Sequence, residues 1–482
     1  MRAGAARRAV NPPLGTRQTG FRLFGHPVQA IESDLTATAL ALESEGTLVV
    51  IVGIDLSIVG IDLSMRGLRP GQRLREAAAA ALGIPVSHVF LNTSHAHSGV
   101  ALPDYMPDTD EQLELKTRFR DILERGIVDA AVEAAERLQD ARLGVAWGRS
   151  GIGSYRREQR DGRLVLGEVP GYPIDDSVGV IRVDDLSGDP IATVFRFSAH
   201  PVTMGGRSMV VSSDYPGAAR AVVERHLGGL ALFLQGGGGN LNPLRGIGYE
   251  SDCRDTKNRL GLELGGEVLR VAAGIRTSTR AGPRRPLGNI PNILFTPWEP
   301  TDGASAPVVA ALEEPVSLDY VELPTRAEAE ALRAHWSAEV ERRHHEDAQE
   351  WEQRVAEKYA DWADVLCEAV ELGNPTCDLY LQAIRVGDLA VLGMNGEMFF
   401  ETGLEIRSRS PFPETFALGY TNGTIGYLPR AEDYPEGGWR LDEAYAVPDL
   451  IFQVHPHPVA LHPSSERRIV DASLALLGRL FA

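Results

Sequence analysis

Short apolar runs of strand length alternate with longer runs of helix formers through the first 275 residues. That alternation restricts the chain to a mixed α/β architecture. TLVVIVGIDLS at 47–57, HVFLN at 88–92 and LALFLQ at 230–235 read as strands, with further strands near 142–148, 178–183 and 191–199. GQRLREAAAAAL at 71–82 and the segments 111–139, 216–227 and 254–275 read as helices. The expected fold class is α/β (α+β), mixed β-sheets flanked by helices. One heptapeptide, IVGIDLS, stands twice in succession at 51–57 and 58–64. Seven is odd, so a straight strand would turn the second copy to the opposite face. One copy is expected to finish the strand, and the other to form the turn after it.

The second half reads differently. Residues 277–315, rich in Pro, Gly and Ala, look like irregular connection. Residues 325–372 are a charged helical stretch, an arm or lid on the body. Such an insertion either walls a pocket or is a solvated hairpin without chemistry. After Gly373, DLYLQAIRVGDLAVLGM reads as a hairpin turning at Val386-Gly387-Asp388.

Charge narrows the partners. Asp and Glu number 66 against 48 Lys and Arg, a net charge of −18. That argues against gripping nucleic acid through its phosphates and against docking on anionic membrane by a basic face. A local basic patch escapes this whole-chain argument. Cys253, Cys367 and Cys377 form no CxxC pair, so a reduced, cytoplasmic chain is expected. MRAGAARRAVNPPLG has no apolar run behind its arginines, so no signal peptide is expected. The most apolar stretch, 47–65, is broken by Asp55, Asp62 and glycines, so no stable membrane insertion is expected. A homo-oligomer stays open.

Residues able to do chemistry follow the strands. His95 and His97 lie in NTSHAHSG; on an extended chain such a pair points to opposite faces, so one could ligate a metal while the other meets substrate or solvent. His200 ends the strand before Pro201, where sites collect. Asp214 opens a helix, as its cap or as the orienting partner of a histidine. LQGGGGNLNP at 234–243 lets backbone approach a ligand, and its N–H groups could bind an oxyanion; without a following GK[ST] it is not a phosphate loop of the Walker type. Glu397 in GMNGEMFFETG either caps a helix or ligates a metal. Tyr420, Tyr427 and Tyr434 share a loop in which tyrosines usually pack.

HAHSG, the AHP strand end with SSDYPG after it, the QGxxGxxxP loop, the GE segment and the GY loop occur in that order. The series resembles the neutral/alkaline, non-lysosomal ceramidase family. Asn11-Pro12-Pro13-Leu14-Gly15 and the Asp55 or Asp62 strand end match as well, so the resemblance runs from about residue 5 to about residue 440. It implies one ceramidase-like catalytic domain over 1–482 with 325–372 inserted, lacking the family's C-terminal immunoglobulin-like domain. It implies a zinc ion held by His95, His200, Glu397 and Tyr427, with His97 as proton donor and Arg156 shaping the site. Tyr155 stands where the family has Asn. Asn240 and Asn242 replace an aspartate and a serine tied to ceramide, which excludes a serine acyl-enzyme at that position. Gly237, Asn240 and Asn242 then line the substrate. The implied activity is a zinc-dependent hydrolase cleaving an amide of a small or N-acyl substrate with zinc-activated water. The rivals are an ester or lactone hydrolase on the same zinc and a non-catalytic scaffold.

Overall fold

The computed structural model describes residues 1–18, 26–62, 65, 67, 69–100, 109–205, 208–245, 253–301, 306–436 and 457–482. Its centre is an eight-stranded sheet. The strand order is Leu230–Gln235, Pro190–Phe197, Ser177–Asp185, Gln139–Arg149, Arg2–Ala9, Thr36–Ser44, Thr47–Ile54, Val89–Thr93. The outermost pair at each edge is parallel. The two edges also meet: Gln235 N donates to Asn92 Oδ1 at 2.7 Å. Gly53 permits this approach, because a Cβ there would sit 2.9 Å from the Phe233 carbonyl oxygen.

Both faces of the sheet are covered, which explains why LVVIVGI shows no polar alternation. Val50, Val52 and Leu91 face the helices Pro70–Leu82 and Asp110–Glu136 through Leu74, Phe119 and Ile127. Farther along, Val180, Phe195 and Phe233 pack under the helices Asp214–Leu227 and Arg254–Gly274. Val49, Ile51, Phe90 and Leu232 face the other way, onto Ile384, Val391 and Phe416. Those three belong to a four-stranded sheet ordered Val309–Asp319, Thr376–Val386, Leu389–Met394, Glu414–Leu418. The helices Phe400–Arg409 and Ser465–Phe481 close its outer face through Ile406, Ile469 and Leu477. The layers thus run helix, sheet, sheet, helix, and each buried Val, Leu or Ile contributes about 1.5–3 kcal/mol.

Three sequence expectations are refined. The described part of 277–315 holds paired strands rather than irregular connection alone. Thr279–Ala281 pairs with Trp298–Pro300, Arg285–Leu287 pairs with Ile290–Phe295, and Val309–Asp319 is a full strand. Pro315 is tolerated because its strand is the edge of its sheet. The 325–372 stretch is two helices, Arg326–His345 and Glu350–Leu372, opened by a Thr325–Glu328 capping box. Its core is its own, with Trp336 stacked on Tyr359 at 4.3 Å and the Trp362 indole donating to the Pro458 carbonyl. The first IVGIDLS copy finishes the strand ending at Ile54, and the described part of the second lies outside any strand. Ser64 and Leu63 lie outside the described residues. Among the described residues, no helix is long and apolar enough to cross a membrane.

Candidate metal centre

The strands Val89–Thr93, Pro190–Phe197 and Leu230–Gln235 converge at their C-terminal ends, where the two edges of the central sheet meet through Gln235 and Asn92, and release the loops that carry the candidate residues. His95 takes a left-handed backbone conformation, φ 64°. That costs a non-glycine residue roughly 1–3 kcal/mol and ends the extended geometry. The His95 and His97 rings therefore share one side, with centroids 4.8 Å apart, rather than opposite faces. His200 joins them, 4.6 Å from His95, and the ligating nitrogens of all three lie within 4.8 Å of one another.

Backbone carbonyls set the ring orientations. His95 Nδ1 donates to the Ser57 carbonyl at 2.7 Å, and His200 Nδ1 donates to the Gly238 carbonyl at 2.7 Å. Both Nε2 atoms then turn toward Glu397 Oε2, at 3.4 Å and 3.3 Å. Glu397 and Tyr427 are brought side by side by a short parallel pairing, with Glu397 N donating to the Gly426 carbonyl at 2.7 Å. Arg156 donates to the Tyr427 hydroxyl at 2.9 Å, to the Gly239 carbonyl at 2.7 Å and to Asn242 Oδ1 at 3.1 Å.

His95, His97, His200, Glu397, Tyr427 and Arg156 thus form one connected cluster, with Asn242 attached to it. Gly237 and Asn240 lie behind, against the start of the helix Phe400–Arg409. A Cβ on Gly237 would sit 2.9 Å from Phe400 Cα, and Asn240 binds Phe400 N and Glu401. The tetraglycine turn uses the N–H groups of Gly236, Gly238 and Gly239 on backbone carbonyls, so those three are not offered to an oxyanion. Asp214 accepts from Thr203 N at 2.9 Å, Met204 N at 3.2 Å and Tyr215 N at 2.6 Å. It therefore fixes the loop after His200, while the His200 imidazole is held from the glycine turn.

No family model matches the chain. Neutral ceramidase A of Dictyostelium discoideum is 27% identical over 269 residues, 52% of this chain and 36% of that protein. Neutral ceramidase B of the same organism is 26% identical over 188 residues, 35% of this chain and 25% of that protein. The chain thus matches only about a third or less of these relatives' length. The crystal structure of neutral ceramidase from Pseudomonas aeruginosa shares the fold over 99% of this chain and 74% of its own, with a TM-score of 0.64 and 18% identity. A ceramidase complexed with C2 gives the same TM-score at 17% identity.

The chain is a distant homologue of the neutral ceramidases.

Electrostatics make the cluster suited to a cation. Burial pushes the His95 pKa down to about 3, with Glu397 only partly opposing it. Burial and the neighbouring His95 hold His97 well below the usual histidine range, and burial and Arg156 lower His200. All three are neutral near pH 7, the form that ligates metal. With Nδ1–H committed to carbonyls, the His95 and His200 Nε2 atoms present lone pairs to a carboxylate oxygen. Buried lone pairs facing one another repel, and His200 Nε2 makes no aligned hydrogen bond. A divalent cation among them removes the repulsion, and imidazole with carboxylate is a zinc donor set.

One residue escaped the sequence reading. Tyr420 packs on the His95 ring at 4.4 Å and its hydroxyl donates to Glu397 Oε2 at 3.4 Å. The loop after Leu418 offers two Gly-Tyr pairs, 419–420 and 426–427, and both tyrosines reach the site.

Proposed function

We propose that the chain is a zinc-dependent amidohydrolase acting on an N-acyl substrate of the ceramide class or smaller. His95, His200, Glu397 and Tyr427 would hold the metal. The observation that carries this is the convergence of the His95 and His200 Nε2 lone pairs on Glu397 Oε2. His97, whose Nε2 lies 3.1 Å from His95 Nε2, could alternatively complete a three-histidine set.

A zinc ion bound there supplies Lewis acidity and makes water a competent nucleophile at neutral pH. The chain's residues divide the remaining work. His97 is the only one of the three histidines with partial exposure, which suits it to pass a proton at Nε2 to the departing amine. Burial and the Glu397 carboxylate push the Tyr427 hydroxyl well above the usual phenol range, and Arg156, donating to that hydroxyl, opposes them only in part. Asn242, standing where the resemblance places a serine, has its Oδ1 on Arg156, so it positions that guanidinium rather than attacking substrate. The Ser57 and Gly238 carbonyls keep the two imidazoles aimed, a support typically worth 10–100-fold in metal affinity.

Metal analysis of the purified chain beside His95→Ala and His200→Ala tests the site. About one zinc per chain, lost from both variants, is expected. A metal-free wild type prepared without chelator, or metal retained in both variants, sinks the proposal. Panels of amides and esters then separate the reactions. His97→Ala should depress amide turnover on the order of 10²–10⁴-fold and ester turnover much less, because an amine needs the proton to leave. Equal losses would favour the ester or lactone reading.

A further inference from the structure

The segment 276–300 is the least covered part of the described chain. Thr279–Ala281 and Trp298–Pro300 pair, Gly282 N donates to the Pro297 carbonyl, and Arg285–Leu287 and Ile290–Phe295 pair beyond them. The result is one two-stranded ribbon, reversed at Gly288-Asn289 with Gly288 at φ 54°. Among the described residues, neither of its strands pairs with a third. Residues 283–294 are exposed without interruption. They include Leu287, Ile290, Ile293 and Leu294, each between 46% and 53% exposed, and Trp298 behind them is 54% exposed. An isolated two-stranded hairpin is marginal in water, and open edges invite pairing.

Two further facts select the occupant. The first is charge. Residues 276–300 carry Arg276, Arg280, Arg284 and Arg285 against one acidic residue, Glu299, which stands across the ribbon from Arg280, in a chain of net −18. A basic arm on an acidic body is complementary to another copy of that body. The second is placement. Thr277 Oγ1 donates to Asp184 at 2.5 Å, and Asp184 pairs with Pro190, where the strand Pro190–Phe197 begins. The metal cluster lies past the other end of that strand, at His200. The ribbon therefore springs from the end of that strand away from the site. A membrane gripped by the ribbon would face away from the site, and the −18 body would oppose an anionic bilayer.

We infer that the 276–300 ribbon is a docking arm whose partner is a second copy of this chain. Leu287, Ile290, Ile293 and Leu294 bury against the partner's body, and Arg284 and Arg285 meet its acidic surface. Residues 279–287 extend up to roughly 26 Å, enough to lie across a neighbouring subunit.

Light scattering on the eluting full chain tests this. The wild type should show a mass of at least two 52.2 kDa chains. Ile290→Asp with Leu294→Asp should elute as a single chain with unchanged circular dichroism and metal content, which separates loss of docking from loss of fold or site. Arg284→Glu with Arg285→Glu should weaken self-association on the order of tenfold, through faster dissociation at the apolar contact and weaker steering. A monomeric wild type, or an aspartate variant that keeps the wild-type mass, overturns the inference. So does arm-dependent flotation of the wild type with phosphatidylserine-containing vesicles, which would make the occupant a lipid surface.

Discussion

At the scale of single residues, the tandem repeat offers a controlled comparison. Asp55 and Asp62 occupy the same place in the two IVGIDLS copies and meet opposite fates. Asp55 is buried with Arg220 and the hydroxyl of Thr36, a paired charge. Asp62 is buried with Asn395 Nδ2 on one oxygen at 2.7 Å, while its other oxygen has no hydrogen bond. Burial pushes the Asp62 pKa up to about 7. Unfolded, the carboxyl loses its proton near pH 3.9, whereas the folded protein keeps it until about pH 7. The folded state binds the extra proton in between, so stability contributed by Asp62 falls as pH rises through that window. Asp62→Asn should therefore gain on the wild type by about 1.4 kcal/mol per pH unit across it, read from urea melts. Parallel stability curves for the two proteins would show that Asp62 does not titrate in this way. Arg156 belongs to the same scale. Arg156→Met leaves the Tyr427 hydroxyl and the Gly239 carbonyl without their guanidinium donor, and should loosen zinc on the order of 10–100-fold in a competitive chelator titration.

At the scale of elements, the short pairing of Glu397–Met398 with Tyr427–Leu428 and the glycine turn behind it share a tight space. A Cβ on Gly239 would sit 2.4 Å from the Glu397 carbonyl oxygen and 2.7 Å from Phe399 Cδ1. Gly239→Ala should cost about 1–3 kcal/mol in thermal or urea unfolding and lower metal content with it, because the strain falls on the Glu397 strand. The helical hairpin should behave as a separate unit. Trp336→Ala empties the core it shares with Tyr359, so hydrogen exchange should quicken across 326–372 while metal content is unchanged. Much of this scaffold was legible beforehand, and the reasons are specific. The strands from Thr47 to Ile54 and Leu230 to Gln235 are apolar between their polar ends, Thr47 and Gln235, because both faces are covered, and the amphipathic helices bury one side each. The ribbon and the Val309–Asp319 strand were not legible, since proline at 283, 286, 291, 297 and 315 reads as breakage until pairing partners are known. Nor does any residue pattern announce that His95 turns left-handed and gathers the HxH pair, or that Tyr420 as well as Tyr427 touches Glu397.

At the scale of the whole molecule, the −18 charge is spread over a surface from which several strong ion pairs have been withdrawn. Arg196 with Asp175 and Arg220 with Asp55 lie inside, where salt screens them little. Moderate sodium chloride should therefore raise the melting temperature by relieving surface self-repulsion, without a loss from these inner pairs. A fall in melting temperature with salt would show that surface pairs outweigh the repulsion. The cluster itself is assembled from loops scattered over the chain, from Ser57 through His95 and His200 to Glu397 and Tyr427. On a ribosome adding about 5–20 residues per second, the 302 residues from His95 to Glu397 take roughly 15–60 s to make. A nascent chain would carry its histidines through that interval without the carboxylate they converge on. Metal capture would then belong to the finished chain, and a product truncated before residue 397 would leave the ribosome with its histidines but without Glu397 and Tyr427 to join them.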